Sequence, residues 1–210
     1  MGLIAKDSGG TREPAPAGTH AAWCFGLIDL GTQVGDFNGE RKVAHKAWLW
    51  WELADEKQAD GKPFRIGGFY AVSLHEKSNL RKMLQSWRGR PFTPEELGAF
   101  DLRNVVGKPC LLTVTHEAGT DGKVRDKISA VTTLVKGMKP APMTNPITVF
   151  DIDDWDAKVF ESLPDFLKAM VAKSPEGRGK LGLGAAAPDP ARGHADAPAY
   201  DGPGDDEIPY

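Results

Sequence analysis

Residues 42–53 read KVAHKAWLWWEL, and the alternation of their side chains decides how the rest of the chain is read. In a β-strand successive side chains point to opposite faces. One face of this segment then carries Val43, His45, Ala47, Leu49, Trp51 and Leu53, which suits a core. The other carries Lys42, Ala44, Lys46, Trp48, Trp50 and Glu52, and on a half-exposed strand it is expected to meet solvent. Two exposed indoles beside two ammonium groups want a flat, anionic partner. The next strand, KPFRIGGFYAVSL, repeats the arrangement: Phe64, Ile66, Tyr70 and Val72 turn inward, while Arg65 and Phe69 turn outward. Gly67 and Gly68 between them lack side chains and leave room for a ligand to approach. Aromatic rings among cations on adjacent strands make a platform on which bases stack, each stack being worth ~1–3 kcal/mol. A register slip of one residue would exchange Trp48 and Trp50 for Trp51.

Outward from this pair, WCFGLIDLG supplies an earlier strand, and GDFNGE and KQADGK supply turns. Leu80, Met83, Leu84 and Trp87 then fall at helical spacing, with Lys77, Arg81, Lys82 and Arg88 on the other faces. Trp87 belongs to the apolar stripe. In SWRGRPF, Arg88 and Arg90 flank Gly89 and are candidate phosphate contacts, since a glycine lets the backbone turn close to a ligand. FTPEEL and DLRNVVG read as short helical turns, and KPCLLTVTHEAG, TDGK and KISAVTTLVKG as strand, turn and strand. Three strands, a helical insert and two strands is the order of an OB-fold. The expected architecture is mainly β: an OB-fold-like five-stranded barrel with a helical insert between strands 3 and 4, a C-terminal helix, and disordered N- and C-terminal tails. The expected division is a flexible leader at 1–18, the single-strand-binding domain at 19–150, a helix at 151–174 and a disordered spacer with an acidic docking tip at 175–210.

Charge divides along the same line. Residues 1–150 hold 20 Lys and Arg against 16 Asp and Glu, whereas residues 151–210 hold 6 against 13, for a net charge of −3. Cys24 and Cys110 stand far apart without a CxxC pair, so neither a disulfide framework nor a zinc ribbon is indicated. With no apolar leader segment and no stretch long enough to span a membrane, a soluble cytoplasmic protein that engages no membrane is expected.

Catalytic motifs do not emerge. GRGKLG at 177–182 matches GxGxxG but follows a helix, where a phosphate loop must follow a strand. DIDDWD at 151–156 departs from a calcium loop at its fifth, sixth and twelfth positions and suits a helix amino terminus instead. The five histidines show no ligand spacing. A non-enzymatic protein without metal or cofactor is expected.

The last seven residues, GDDEIPY, follow a spacer rich in Ala, Pro, Gly and Asp with too little apolar content to bury anything. This ending resembles the acidic tip of bacterial single-stranded DNA-binding proteins, with Asp205, Asp206, Glu207, Ile208 and Pro209 matching and Tyr210 in place of phenylalanine. The body, through LIDLGTQ, SLHEKSNLRKMLQSWRGRPFT and GKPCLLTVTH, is similar to a group of bacteriophage replication-module proteins regarded as OB-fold single-strand binders. The resemblance implies a sequence-independent single-stranded DNA-binding protein of phage replication or recombination, acting in the host cytoplasm. In this reading Arg41, Lys42, Lys46, Trp48, Trp50, Arg65, Phe69, Arg88 and Arg90 touch DNA, and residues 205–210 dock replication or repair proteins. A homo-oligomer is compatible with it. The alternative is an OB-fold adaptor that recruits replication proteins without strong DNA binding.

Overall fold

The computed structural model describes residues 13–37, 40–119 and 124–184. The chain runs β1 (Gly18–Phe37), β2 (Glu40–Lys57), β3 (Pro63–Ala71), α1 (Asn79–Arg88), α2 (Pro94–Gly98), a 3-10 turn (Leu102–Val105), β4 (Pro109–Ala118), β5 (Val124–Thr132), β6 (Thr148–Phe150), α3 (Ala157–Ser162), α4 (Asp165–Lys173) and α5 (Pro175–Lys180). The strands form one six-stranded sheet in the order β3-β2-β1-β4-β5, with β6 added to β1 in parallel. All other pairs are antiparallel.

β1 organises the sheet. Its first part, Gly18 to Trp23, pairs with β4. A bulge between Cys24 and Gly26 then turns it, and Gly26 to Ile28 take β6 as the new neighbour. The expected closed barrel is corrected to an open sheet: β3 and β5 come within 8 Å at their Cα atoms, but no ladder joins them among the described residues.

The two faces of β2 feed two different cores. Trp51, Leu49 and Leu53 enter the first, with Phe64, Ile66, Leu112 and the α1 residues Leu80, Leu84 and Trp87. Trp51 is fully buried with its ring centroid 5.9 Å from that of Trp87, so the inward readings of both rings hold. α1 starts on Ser78, whose side chain accepts from the Arg81 amide, and stops at Gly89 (φ 68°), a left-handed cap. The role of Gly89 is therefore helix termination. The inward face does not stay buried to its end, however: Val43 is 60% and Val72 43% exposed, and His45 lies at the surface.

The second core occupies the opposite face and was not expected. Ile28, Leu30 and Trp48 pack there against Phe150, Ile152, Phe160, Leu163, Leu167 and Val171. The single helix expected over 151–174 is two helices, because Pro164 lacks an amide donor and holds Leu163 extended (ψ 148°). The spacer expected from residue 175 begins instead with α5, which is pinned to β1 by Glu176: its carboxylate accepts from the amide and hydroxyl of Thr32. The leader is also held at its end, where Ala15 is buried, donates its amide to Asp126 and accepts from His116. Cys24 and Cys110 are buried free thiols, and burial pushes the Cys24 pKa up to about 12. No helix among the described residues is long and apolar enough to cross a membrane.

Candidate nucleic-acid interface

β2 and β3 bring Trp48, Trp50, Arg65 and Phe69 together on one face. The register sets Trp48 opposite Phe69, Trp50 opposite Gly67 and Glu52 opposite Arg65. Trp48 and Phe69 meet edge to face at 4.4 Å, Trp48 and Trp50 at 6.4 Å, and the Arg65 guanidinium lies 5.8 Å from the Trp50 ring centroid. The other member of the array is Phe25, stacked on Trp50 at 5.4 Å and 16°. Phe25 went unnoticed in the sequence because it is the extra, unpaired residue of the β1 bulge between Cys24 and Gly26, where simple alternation no longer assigns a face.

The expectation that Trp48 is displayed to solvent is overturned. Its ring is 5% exposed and enclosed by Trp50, Phe69 and Phe166 of α4. Gly67 serves this ring: a Cβ there would overlap the six-membered ring of Trp48. Gly26 does the same for Trp50, with a Cβ at 2.9 Å from the Trp50 Cβ. The indole nitrogen of Trp48 is buried without a hydrogen-bond partner among the described residues.

Glu52, expected outward, is also covered. Its carboxylate accepts from the amides of Thr144 and Asn145 and from the Asn145 side chain, which folds the 141–147 loop over this end of the face. The Trp23 indole fastens the same loop by donating to the Ala141 carbonyl at 2.8 Å. Between the loop over Glu52 and α4 over Trp48 a window remains. It contains half-buried Trp50 and Phe69 and exposed Arg65.

The cations divide into two groups. Lys46 stands on the window side of β2 but is 6% exposed, and Arg41 and Lys42 lie further along the β1–β2 hairpin. Arg88 and Arg90 sit at the end of α1, which packs on the first core. Both reach Glu96, Arg90 through two bonds of 2.7 and 3.0 Å. The Arg88 guanidinium also covers Phe92 at 4.4 Å and Phe100 at 5.2 Å. Arg90, a Thr93 amide and Arg88 hold the Glu96 carboxyl down at about 2. Arg88 thus joins α1 to the capped turn of α2, with Thr93 and Glu96 in a reciprocal capping box.

On the other side of the sheet, His45 and Asp29 make a 2.7 Å ion pair. Burial raises the Asp29 pKa, but bonds from His45 and the Gly31 amide outweigh it and the net shift is downward. The bond to Asp29 raises His45 against its partial desolvation. No group of three or more metal-ligating side chains occurs among the described residues. The acidic tip, residues 205–210, lies outside the described residues. No protein-family model matches the chain, and no curated protein matches it in sequence.

Proposed function

We propose that this chain is a sequence-independent single-stranded DNA-binding protein of phage replication or recombination, with no catalytic role. The observation that carries the reading is the window on β2 and β3, where Trp50 and Phe69 are half-buried and Arg65 lies over the indole. The strand order and the placement of α1 between β3 and β4 support an OB-fold kinship for the sheet despite its open edge. On binding, the Arg65 guanidinium passes from the Trp50 ring to a phosphate, and a base takes its place on the indole. Phe69 offers the next stacking surface, and Arg41 and Lys42 extend the positive track along the hairpin. Trp48 acts beneath them as the rigid floor. Residues 205–210 recruit replication or repair proteins, their carboxylates and apolar ring suiting a basic, apolar pocket.

Titration with oligo(dT) tests the reading. Tryptophan fluorescence should be quenched, affinity should fall with salt at a log–log slope of about −0.7 per phosphate neutralised, and Trp50→Phe should remove most of the quenching. Absence of a salt-dependent signal would favour the adaptor reading, which has its own support in the exposed Val34, Val43 and Val72.

A further inference from the structure

Trp48 stands opposite Phe69 in the register, but its indole reaches diagonally across to Gly67 of β3, where a Cβ would fall 2.6 Å from the indole nitrogen. Gly67 is also the register partner of Trp50, and Arg65 and Phe69 flank it on the same face. The N–H edge of Trp48 therefore lies at the centre of the window. That nitrogen is buried and has no hydrogen-bond partner among the described residues. The rings around it offer at most π faces, which are second-order acceptors. A buried donor left in this state costs stability, and the loss is recovered when an acceptor oxygen reaches it.

The cover over this donor includes a ring that can move. Of the rings that meet Trp48, Phe69 is nearest at 4.4 Å, against 5.5 Å for Phe166 and 6.4 Å for Trp50. Phe166 belongs to α4, which Leu167 and Val171 anchor in the second core. Phe69 is only half-buried and stands on β3, which ends the strand order and carries no ladder on its outer side among the described residues. Rotation about its own side-chain torsions turns it outward without breaking a ladder bond.

We propose that Phe69 is a gate and the Trp48 N–H the donor behind it: when a base stacks on Trp50, Phe69 turns outward to the next base, and the indole of Trp48 donates to a carbonyl oxygen on the edge of the first. The inference rests on the single-strand-binding reading and adds to it a point at which the base itself is touched by a hydrogen bond. The register favours base over phosphate. A base on Trp50 lies beside Gly67, whereas the phosphate goes to Arg65, opposite Glu52. Thymine and guanine carry carbonyl oxygens on their edges and adenine carries none, so the contact biases binding among bases without fixing a sequence.

Nitrogen-15 NMR of the full-length protein, with oligo(dT) and with an abasic oligomer of the same length, tests the proposal, each indole being assigned through bonds to its own backbone. On binding oligo(dT) the Trp48 N–H signal should move downfield. The signal of Trp51, whose indole nitrogen is also buried without a partner but in the first core, should stay in place. The abasic oligomer should leave both where they were. Trp48→Phe keeps an aromatic floor and removes the donor; it should weaken oligo(dT) binding about threefold to tenfold and leave binding of the abasic oligomer unchanged. That loss should be the same at every salt concentration, since a neutral bond releases no counterions. Phe69→Ala should let the Trp48 N–H exchange with solvent faster than in the wild type before any DNA is added. Should Trp48→Phe fold poorly, the wild-type signal decides alone. Quenching by oligo(dT) with no downfield movement at Trp48 would overturn the proposal and leave single-strand binding standing. An equal movement with the abasic oligomer would overturn the contact to the base, and a protein that binds neither oligomer would overturn both readings.

Discussion

Trp48 shows how a residue can be assigned to the right face and the wrong environment. Period-two alternation places it with Trp50 and against Trp51, and the register bears this out. Alternation gives no information on what covers a face. The covering was nevertheless in the sequence: Phe160, Leu163, Leu167 and Val171 fall at helical spacing, and such a stripe must find an apolar partner. Two unpartnered apolar faces in one chain are each other's simplest solution. Trp48→Ala should accordingly destabilise the fold by ~3–5 kcal/mol as a large-to-small core change. Gly67→Ala should destabilise by ~1–3 kcal/mol through the clash with the same ring. Trp50→Ala should leave the melting temperature close to wild type while weakening oligo(dT) binding by ~1–3 kcal/mol. Thermal melts and titrations on the three variants separate floor from contact, and a stable Trp48→Ala protein would show that α4 does not need that ring.

At the scale of elements, most of the order could be read directly. Turn residues and periodicity locate β1, β2, β3 and α1, and acidic residues before a helix mark Asp156, whose side chain caps α3 by accepting from the Lys158 and Val159 amides. Less legible were the pieces that depend on a distant partner. α5 has only six residues, PEGRGK, with two glycines, and no local preference would make it a helix. It forms where Glu176 meets the Thr32 amide and hydroxyl beside Gly31, whose φ of 68° admits the bulge under Ser174. That the sheet stays open was likewise invisible, since its edges β3 and β5 are separated in sequence by α1, α2, the 3-10 turn and β4. The α5 clasp has a pH signature. Burial raises the Glu176 pKa, but its bonds from Thr32 outweigh this and the net shift is downward. A depressed carboxylate contributes stability above its ordinary value of 4.5 that is lost as pH falls through the folded value. His45 has the opposite sign: raised, it contributes fully below 6.5 and loses the contribution as pH rises through its folded value. At 43% exposure of its side chain, that part amounts to less than about 1 kcal/mol. Stability should therefore peak between about 4.5 and 6.5, and Glu176→Gln should blunt the acid limb while His45→Asn blunts the alkaline one. Melting curves across pH that are superimposable for wild type and both variants would remove the clasp from the account.

Over the whole molecule, charge is arranged to oppose itself. Residues 185–210 carry six Asp and Glu and one Arg; without them 25 Lys and Arg face 23 Asp and Glu, so the net charge moves from −3 to +2. Those carboxylates are tethered to a body whose window and hairpin present Arg65, Arg41 and Lys42, and tethering gives them a high effective concentration there. Competition of this kind is electrostatic, and at physiological ionic strength it is screened beyond ~8 Å. Removing residues 185–210 should thus raise affinity for oligo(dT) at low salt, and the gain should shrink toward zero as salt increases. Removing only 208–210 keeps every one of the six carboxylate side chains and should leave affinity at all salt concentrations near that of the full chain. The two truncations differ in charge and share the loss of the apolar end, so comparing them isolates the electrostatic contribution. An equal gain from both, or a gain from the longer truncation that persists at high salt, would show that the segment acts on the window through its apolar residues.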